Sequence, residues 1–130
     1  MHAVARPKIF VGTLACNEAE FSACCQSICE QQDVDVTHHI IANQPEFDAH
    51  NQLWEAWANA KRTHCLMVKI DADTVLSRPT ALAEIVALFK NPAVTGAQIL
   101  LHDYFTDRLI AGLNAFSPVV VFKPASTRLF

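Results

Sequence analysis

The run Cys65-Leu66-Met67-Val68-Lys69-Ile70-Asp71-Ala72-Asp73-Thr74 passes from apolar to acidic within a few residues. A short β-favouring stretch followed by aspartates at i and i+2 predicts a buried strand, over 65–70, that ends in a carboxylate-bearing turn. Upstream, Lys8-Ile9-Phe10-Val11-Gly12-Thr13-Leu14 is a second such run and stops at the polar corner Cys16-Asn17-Glu18-Ala19-Glu20. Asn17 with Glu20 three residues on has the form of a capping box, so a helix is expected from there to about Gln31. A strand over 34–42 follows, broken by Asn43-Gln44-Pro45. Asp48 is expected to open a second helix, in which Leu53, Trp54, Trp57 and Ala60 keep helical spacing. Downstream, Ser77-Arg78-Pro79 starts a third helix that Asn91-Pro92 stops. A strand over 94–101, a fourth helix over 103–114 and a fifth strand over 119–122 complete the pattern. Strict alternation of this kind predicts an α/β domain: a mainly parallel sheet between two helical layers, with ligands bound beyond the carboxyl ends of the strands.

Two carboxylates at such a strand end suit a hard divalent cation, since Mg²⁺ and Mn²⁺ take oxygen ligands and Mg²⁺ shares its shell with substrate phosphates. The triplet alone is weak evidence: seven Asp in 130 residues make about 0.4 Asp-x-Asp expected by chance. Asp33-Val34-Asp35 is an internal control, because it precedes a strand and so lies at the wrong end of the sheet. Only Asp71-Ala72-Asp73 closes a strand on the ligand side.

Composition narrows the classes. A formal charge of −3 and a 52% hydrophobic content describe one folded domain with no polyanion-binding field, so nucleic acid is not the expected partner. Gly12, Gly96 and Gly112 never cluster, which removes the glycine loops of dinucleotide dehydrogenases and P-loop NTPases. Five cysteines (Cys16, Cys24, Cys25, Cys29, Cys65) with no C-x-x-C are read as free thiols, Cys24, Cys25 and Cys29 being small fillers on a helix. A Cys25/Cys29/His38/His39 zinc site is disfavoured, because adjacent histidines in a strand face opposite ways. No secretory or membrane-spanning run is present, and a cytoplasmic location is expected.

The stretch Val11-Gly12-Thr13-Leu14-Ala15-Cys16-Asn17-Glu18-Ala19-Glu20-Phe21, followed by Cys25-Gln26-Ser27-Ile28-Cys29-Glu30-Gln31, resembles the opening of family 2 glycosyltransferases of the GT-A fold, with a Thr/Asn-Glu corner and a helix ending near S-I-x-x-Q. The segment from Ala49-His50-Asn51 to Ala60 resembles the second helix of that family, and Val68-Lys69-Ile70-Asp71-Ala72-Asp73-Thr74-Val75-Leu76 its D-x-D strand. The resemblance covers roughly residues 8–90 and implies a nucleotide-diphospho-sugar donor site using Mn²⁺ or Mg²⁺. It maps the metal onto Asp73, ribose or metal contact onto Asp71, and the nucleotide cradle onto Thr13 and Glu18. Asn43 stands where the family commonly has a base-reading Asp. Leu101-His102-Asp103-Tyr104-Phe105-Thr106-Asp107, leading to Gly112-Leu113-Asn114-Ala115-Phe116-Ser117-Pro118, looks like a sub-family signature.

Transfer by displacement needs a group to take the acceptor proton. His102, Asp103 and Asp107 are the candidates, at the end of the fourth predicted strand. The plainer alternative is that Asp103 or Asp107 caps the following helix. His38, His39 and His50 are read as packing or surface histidines, and Trp54 and Trp57 as core residues instead of a sugar platform. Lys69 is expected to snorkel to solvent and Arg78 to sit at a helix start.

The reading is a single GT-A-like domain over 1–130: a metal-dependent glycosyltransferase acting from a nucleotide-diphospho-sugar on an acceptor the sequence does not name. The predicted elements leave little chain for an acceptor-binding part, so a truncated chain, a minimal variant, or a module completed by a partner domain or oligomer stay open. A non-catalytic nucleotide-sugar-binding module and a nucleotidyltransferase are the alternatives of other classes.

Overall fold

The computed structural model describes residues 5–103 and 105–122. Sequence readings that touch 1–4, Tyr104 or 123–130 lie outside the described residues. Five strands and three helices follow in the order β1 (Lys8–Ala15), α1 (Phe21–Cys29), β2 (Asp35–Ala42), α2 (Glu46–Ala60), β3 (Leu66–Lys69), α3 (Ala81–Leu88), β4 (Gly96–Asp103) and β5 (Arg108–Phe116). The sheet order is β2-β1-β3-β5-β4. β1 pairs in parallel with both β2 and β3, while β5 runs antiparallel to β3 and to β4. Four strands therefore point one way and β5 alone is reversed, so the carboxyl ends of β1, β2, β3 and β4 share one edge.

The period-two alternation of β1 decides the layers. Ile9 and Val11 pack with Cys24 and Ile28 of α1, Leu82 and Ile85 of α3, and Leu113 of β5. Phe10, on the opposite face, packs with Ala49, Leu53 and Trp57 of α2 and with Met67. Helices thus cover both faces, α1 and α3 on one and α2 on the other. Gly12 permits the close approach of α2, since a Cβ there would run into the Cδ1 of Leu53.

Three expectations are corrected. The helix expected over 103–114 is not formed: Asp103 ends β4, a turn follows, and Arg108 to Asn114 belong to β5, the second arm of a β-hairpin. Asp103 accepts hydrogen bonds through Oδ2 from the Thr106 backbone N–H, at 3.2 Å, and from the Thr106 hydroxyl. Asp107 takes a left-handed φ of 53°. This is aspartate turn chemistry, which overrides the helical spacing of Leu109 and Leu113. Asp103 and Asp107 therefore build a turn and cap no helix. Second, 119–122 is not a strand: the Val120 N–H bonds back to the Ser117 carbonyl at 3.1 Å, and Phe122 stacks on Trp54 at 4.1 Å between ring centroids. Third, the capping box does not form. Asn17 has φ 58°, α1 starts only at Phe21 with no side-chain cap from Glu20, and the Glu18 carboxylate instead receives the Cys16 N–H at 2.7 Å.

Smaller departures concern the cysteines: Cys24 is buried, but Cys25 is half-buried and Cys29 exposed. The Asp33-Val34-Asp35 turn lies where expected, at the amino end of β2, with Asp33 at φ 63°. Among the described residues no helix is long and apolar enough to cross a membrane.

Candidate functional site

Beyond β3 the ladder runs on for one residue, the Ile70 N–H donating to the Gly12 carbonyl at 3.0 Å. The chain then turns, Thr74 N–H to Asp71 carbonyl at 3.0 Å. Ala72 is buried while Asp71 and Asp73 face outward.

The loop 70–80 and the first turn of α3 are stitched to α1 and to Gln31 just after it. The Cys24 thiol reaches the Asp71 carbonyl at 3.5 Å, a weak contact. The Ser27 hydroxyl donates to the Cys24 carbonyl at 2.8 Å and accepts the Leu76 N–H at 3.0 Å. The Gln31 amide spans the gap, its Nε2 donating to the Arg78 carbonyl at 2.9 Å and its Oε1 accepting the Leu82 N–H at 2.9 Å. Ser27 and Gln31, quoted above only as parts of a sequence pattern, thus fix the loop that carries Asp73. Ser27→Ala leaves the Leu76 N–H without its acceptor and is expected to cost about 1–3 kcal/mol. A melting curve reads that loss, and an unchanged curve would contradict the stitching role.

Burial drives the Cys24 thiol up to about 11, with Cys25 and the carboxylates of Asp73, Asp71 and Glu18 adding to the rise. Three acidic groups from the β1 corner and the β3 turn therefore act on one point at the start of α1. Lys69 lies 3.8 Å from Asp71, so it is an ion-pair partner more than a snorkelling side chain. Asp73 makes no hydrogen bond or ion pair to the described residues.

The other cradle residues are tied up locally. Thr13 is fully buried, and its hydroxyl bonds His38 Nε2 at 2.8 Å. Asn43 has φ 58° and donates its N–H to the Ala15 carbonyl at 2.9 Å, prolonging the β1–β2 pairing. His39 turns to the opposite face and stacks on Phe10, as alternation requires. Burial, and then neighbouring His39, holds His38 below its ordinary value of 6.5. A depressed folded-state value gives stability that is present above the unfolded value and lost as pH falls through the folded one. Melting temperature is accordingly expected to drop as pH falls below about 6.5, with a shallower drop in His38→Gln; equal slopes would contradict the assignment.

β4 and β5 continue past the end of β3 as a free arm. Register with β3 ends at Lys69 opposite Asn114, and a bulge between Ile99 and Leu100 re-aims the last four residues of β4, about 13 Å of strand. His102 Nε2 donates to Asp107 Oδ1 at 2.6 Å across the hairpin tip. Thr106 holds the Asp103 carboxyl below the usual carboxylate range. Between this arm and α3 lies a groove of about 900 Å³ whose lining includes Asp73, Arg78, Glu84, His102 and Asp103. The structure thus brings Asp73, His102 and Asp103 to one concavity. Thr13, Glu18, Asn43 and Asp71 lie outside that lining. Arg78, ahead of α3, pairs with Glu84 at 3.2 Å.

Among the described residues no three His, Cys, Asp or Glu converge as metal ligands, so no all-protein cage exists. Two outward carboxylates, that of Asp73 without an ion-pair partner among the described residues, suit a hard cation that shares its shell with phosphate oxygens.

No family model matches the sequence, and no curated protein does. Among solved structures, the chain is similar to the mannosyltransferase PcManGT from Pyrobaculum calidifontis, solved in complex with GDP-Man and Mn²⁺. The identity is 17% and the TM-score 0.61 over 87% of this chain, which spans 45% of that one. The likeness shows a glycosyltransferase-like α/β fold.

Proposed function

We propose that this chain is the donor-binding and catalytic domain of a metal-dependent glycosyltransferase akin to family 2. The observation that carries the proposal is the Asp71-Ala72-Asp73 turn, raised on the carboxyl edge of the sheet beside a groove whose far wall bears His102. A neighbour of the same fold, solved with a nucleotide sugar and Mn²⁺, supports it. Asp73, with Asp71 beside it, would hold a Mn²⁺ or Mg²⁺, which when bound stabilises the charge on the departing diphosphate. Thr13 and Glu18 serve the nucleotide by shaping the backbone corner at the end of β1, since their side chains are engaged within the protein. Asn43 extends that corner.

Among the three base candidates the chemistry favours His102. A carboxylate held in its ionised form by hydrogen bonds, as Asp103 is, makes a weak proton acceptor. An imidazole whose Nε2–H is given to Asp107 presents Nδ1 as an acceptor and gains a counter-charge for the imidazolium it becomes. Asp107 is then a positioning residue and Asp103 a turn former.

Release of nucleoside diphosphate from UDP-, GDP- and dTDP-sugars, measured with and without Mn²⁺, tests the function. Metal-dependent release from at least one donor is expected; none from any donor would refute the catalytic reading.

A further inference from the structure

The groove has a second character besides its carboxylates. Leu88 of α3, Leu100 of β4 and Ile110 of β5 all line it, and they are 49%, 59% and 45% exposed. Apolar side chains exposed singly are ordinary, but several turned into one concavity mark a binding surface. Its volume of about 900 Å³ lies within the range of about 300–1,000 Å³ typical of small-molecule sites. Its electrostatics restrict what enters. Glu20, Asp73, Glu84 and Asp103 contribute four carboxylates to the lining. Arg78 is the one cation among the described lining residues, and it is already paired to Glu84. Arg78 offsets Glu84, and the cation that Asp73 would hold is shared with the donor diphosphate, which leaves Glu20 and Asp103 as the uncompensated charges. Between apolar walls they disfavour a phosphate- or carboxylate-bearing acceptor and not an uncharged one. Asp73 and His102 line the same cavity as Leu88, Leu100 and Ile110, so a molecule whose body lies on the apolar side chains can present a polar end to the reacting groups.

We infer that the acceptor is an uncharged alcohol or phenol with an apolar body, lying against Leu88, Leu100 and Ile110 with its hydroxyl at His102. The inference rests on the transferase reading above. In the reaction the hydroxyl proton passes to His102 Nδ1 and the oxygen bonds the anomeric carbon of the donor sugar. The bond from that carbon to the diphosphate breaks, and its electron pair leaves with the nucleoside diphosphate.

Methyl NMR of the full chain, titrated separately with 1-octanol and with octyl phosphate, tests the ligand class without relying on turnover. Octanol is expected to shift the Leu88, Leu100 and Ile110 methyls, with octyl phosphate binding at least about tenfold more weakly. Leu88→Asp, and independently Ile110→Ser, should each weaken octanol binding, by about tenfold for the charged variant, while nucleotide-sugar binding is unchanged. Octyl phosphate binding as tightly as octanol, or no methyl shifts with octanol, would overturn the inference. So would methyl signals that move with protein concentration alone, because a second copy would then be covering the groove. If octanol binds as expected but no nucleotide sugar does, the donor reading fails and the groove's preference for uncharged ligands stands.

Discussion

Asp73→Ala is expected to lower metal-dependent donor turnover by at least about a hundredfold, the scale of losing one preorganised group that stabilises developing charge. The melting temperature of the ligand-free protein should barely move. Asp73 is exposed and makes no hydrogen bond or ion pair to the described residues, and substitutions of that kind stay within about 0.5 kcal/mol. Asp71→Ala should behave differently. It removes the partner of Lys69, 3.8 Å away, so its loss includes a displaced ammonium beside the diphosphate site. A paired measurement of turnover and melting separates a ligand from a scaffold residue: if Asp73→Ala kept its turnover, the carboxylate would hold no metal.

Trp57→Ala is expected to be the most damaging change to the fold, at about 3–5 kcal/mol. The side chain is 1% exposed, lies 5.7 Å from the Phe10 ring and packs with Leu53 and Met67 under the sheet. A loss of that size is a large share of the 5–15 kcal/mol that stabilises a domain. Trp57→Phe should cost far less. The Trp57 Nε1–H is buried with no hydrogen-bond partner among the described residues, and removing such a donor offsets part of the lost contact area. Chemical denaturation of both variants decides this. A Trp57→Ala protein of wild-type stability but impaired sugar binding would restore the platform reading that the packing rejects.

How much of this was legible in the sequence differs between the two halves of the chain. From β1 to α3 the strands are apolar runs closed by polar corners, and the helices carry Leu53, Trp57, Leu82 and Ile85 on one face. Local pattern and tertiary environment agree there, and the layers follow. The last third misleads because β4 and β5 form a hairpin whose arm leaves the sheet. Leu109 and Leu113, four residues apart, have helical spacing although Leu109 is exposed and both lie on a strand, and the signal against a helix is the pair Asp103 and Thr106, three residues apart and suited to an aspartate turn. The site shows the same division. Asp73 and His102 are candidates because strand ends are where α/β sheets bind ligands, and both line one groove. The stitching by Ser27 and Gln31 depends on contacts 47 to 51 residues apart in the chain, which no local pattern encodes. The local engagement of Thr13 and Glu18 likewise depends on a histidine from β2 and on the left-handed turn at Asn17.

Donor binding and its dependence on metal are read together by calorimetric titration of UDP-, GDP- and dTDP-sugars into the full chain, with and without Mn²⁺. Saturable binding of one donor is expected, tightening at least about tenfold when Mn²⁺ is present, with loss of that gain in Asp73→Ala. Binding that is indifferent to Mn²⁺, or no binding of any nucleotide sugar, would contradict a metal-dependent donor site.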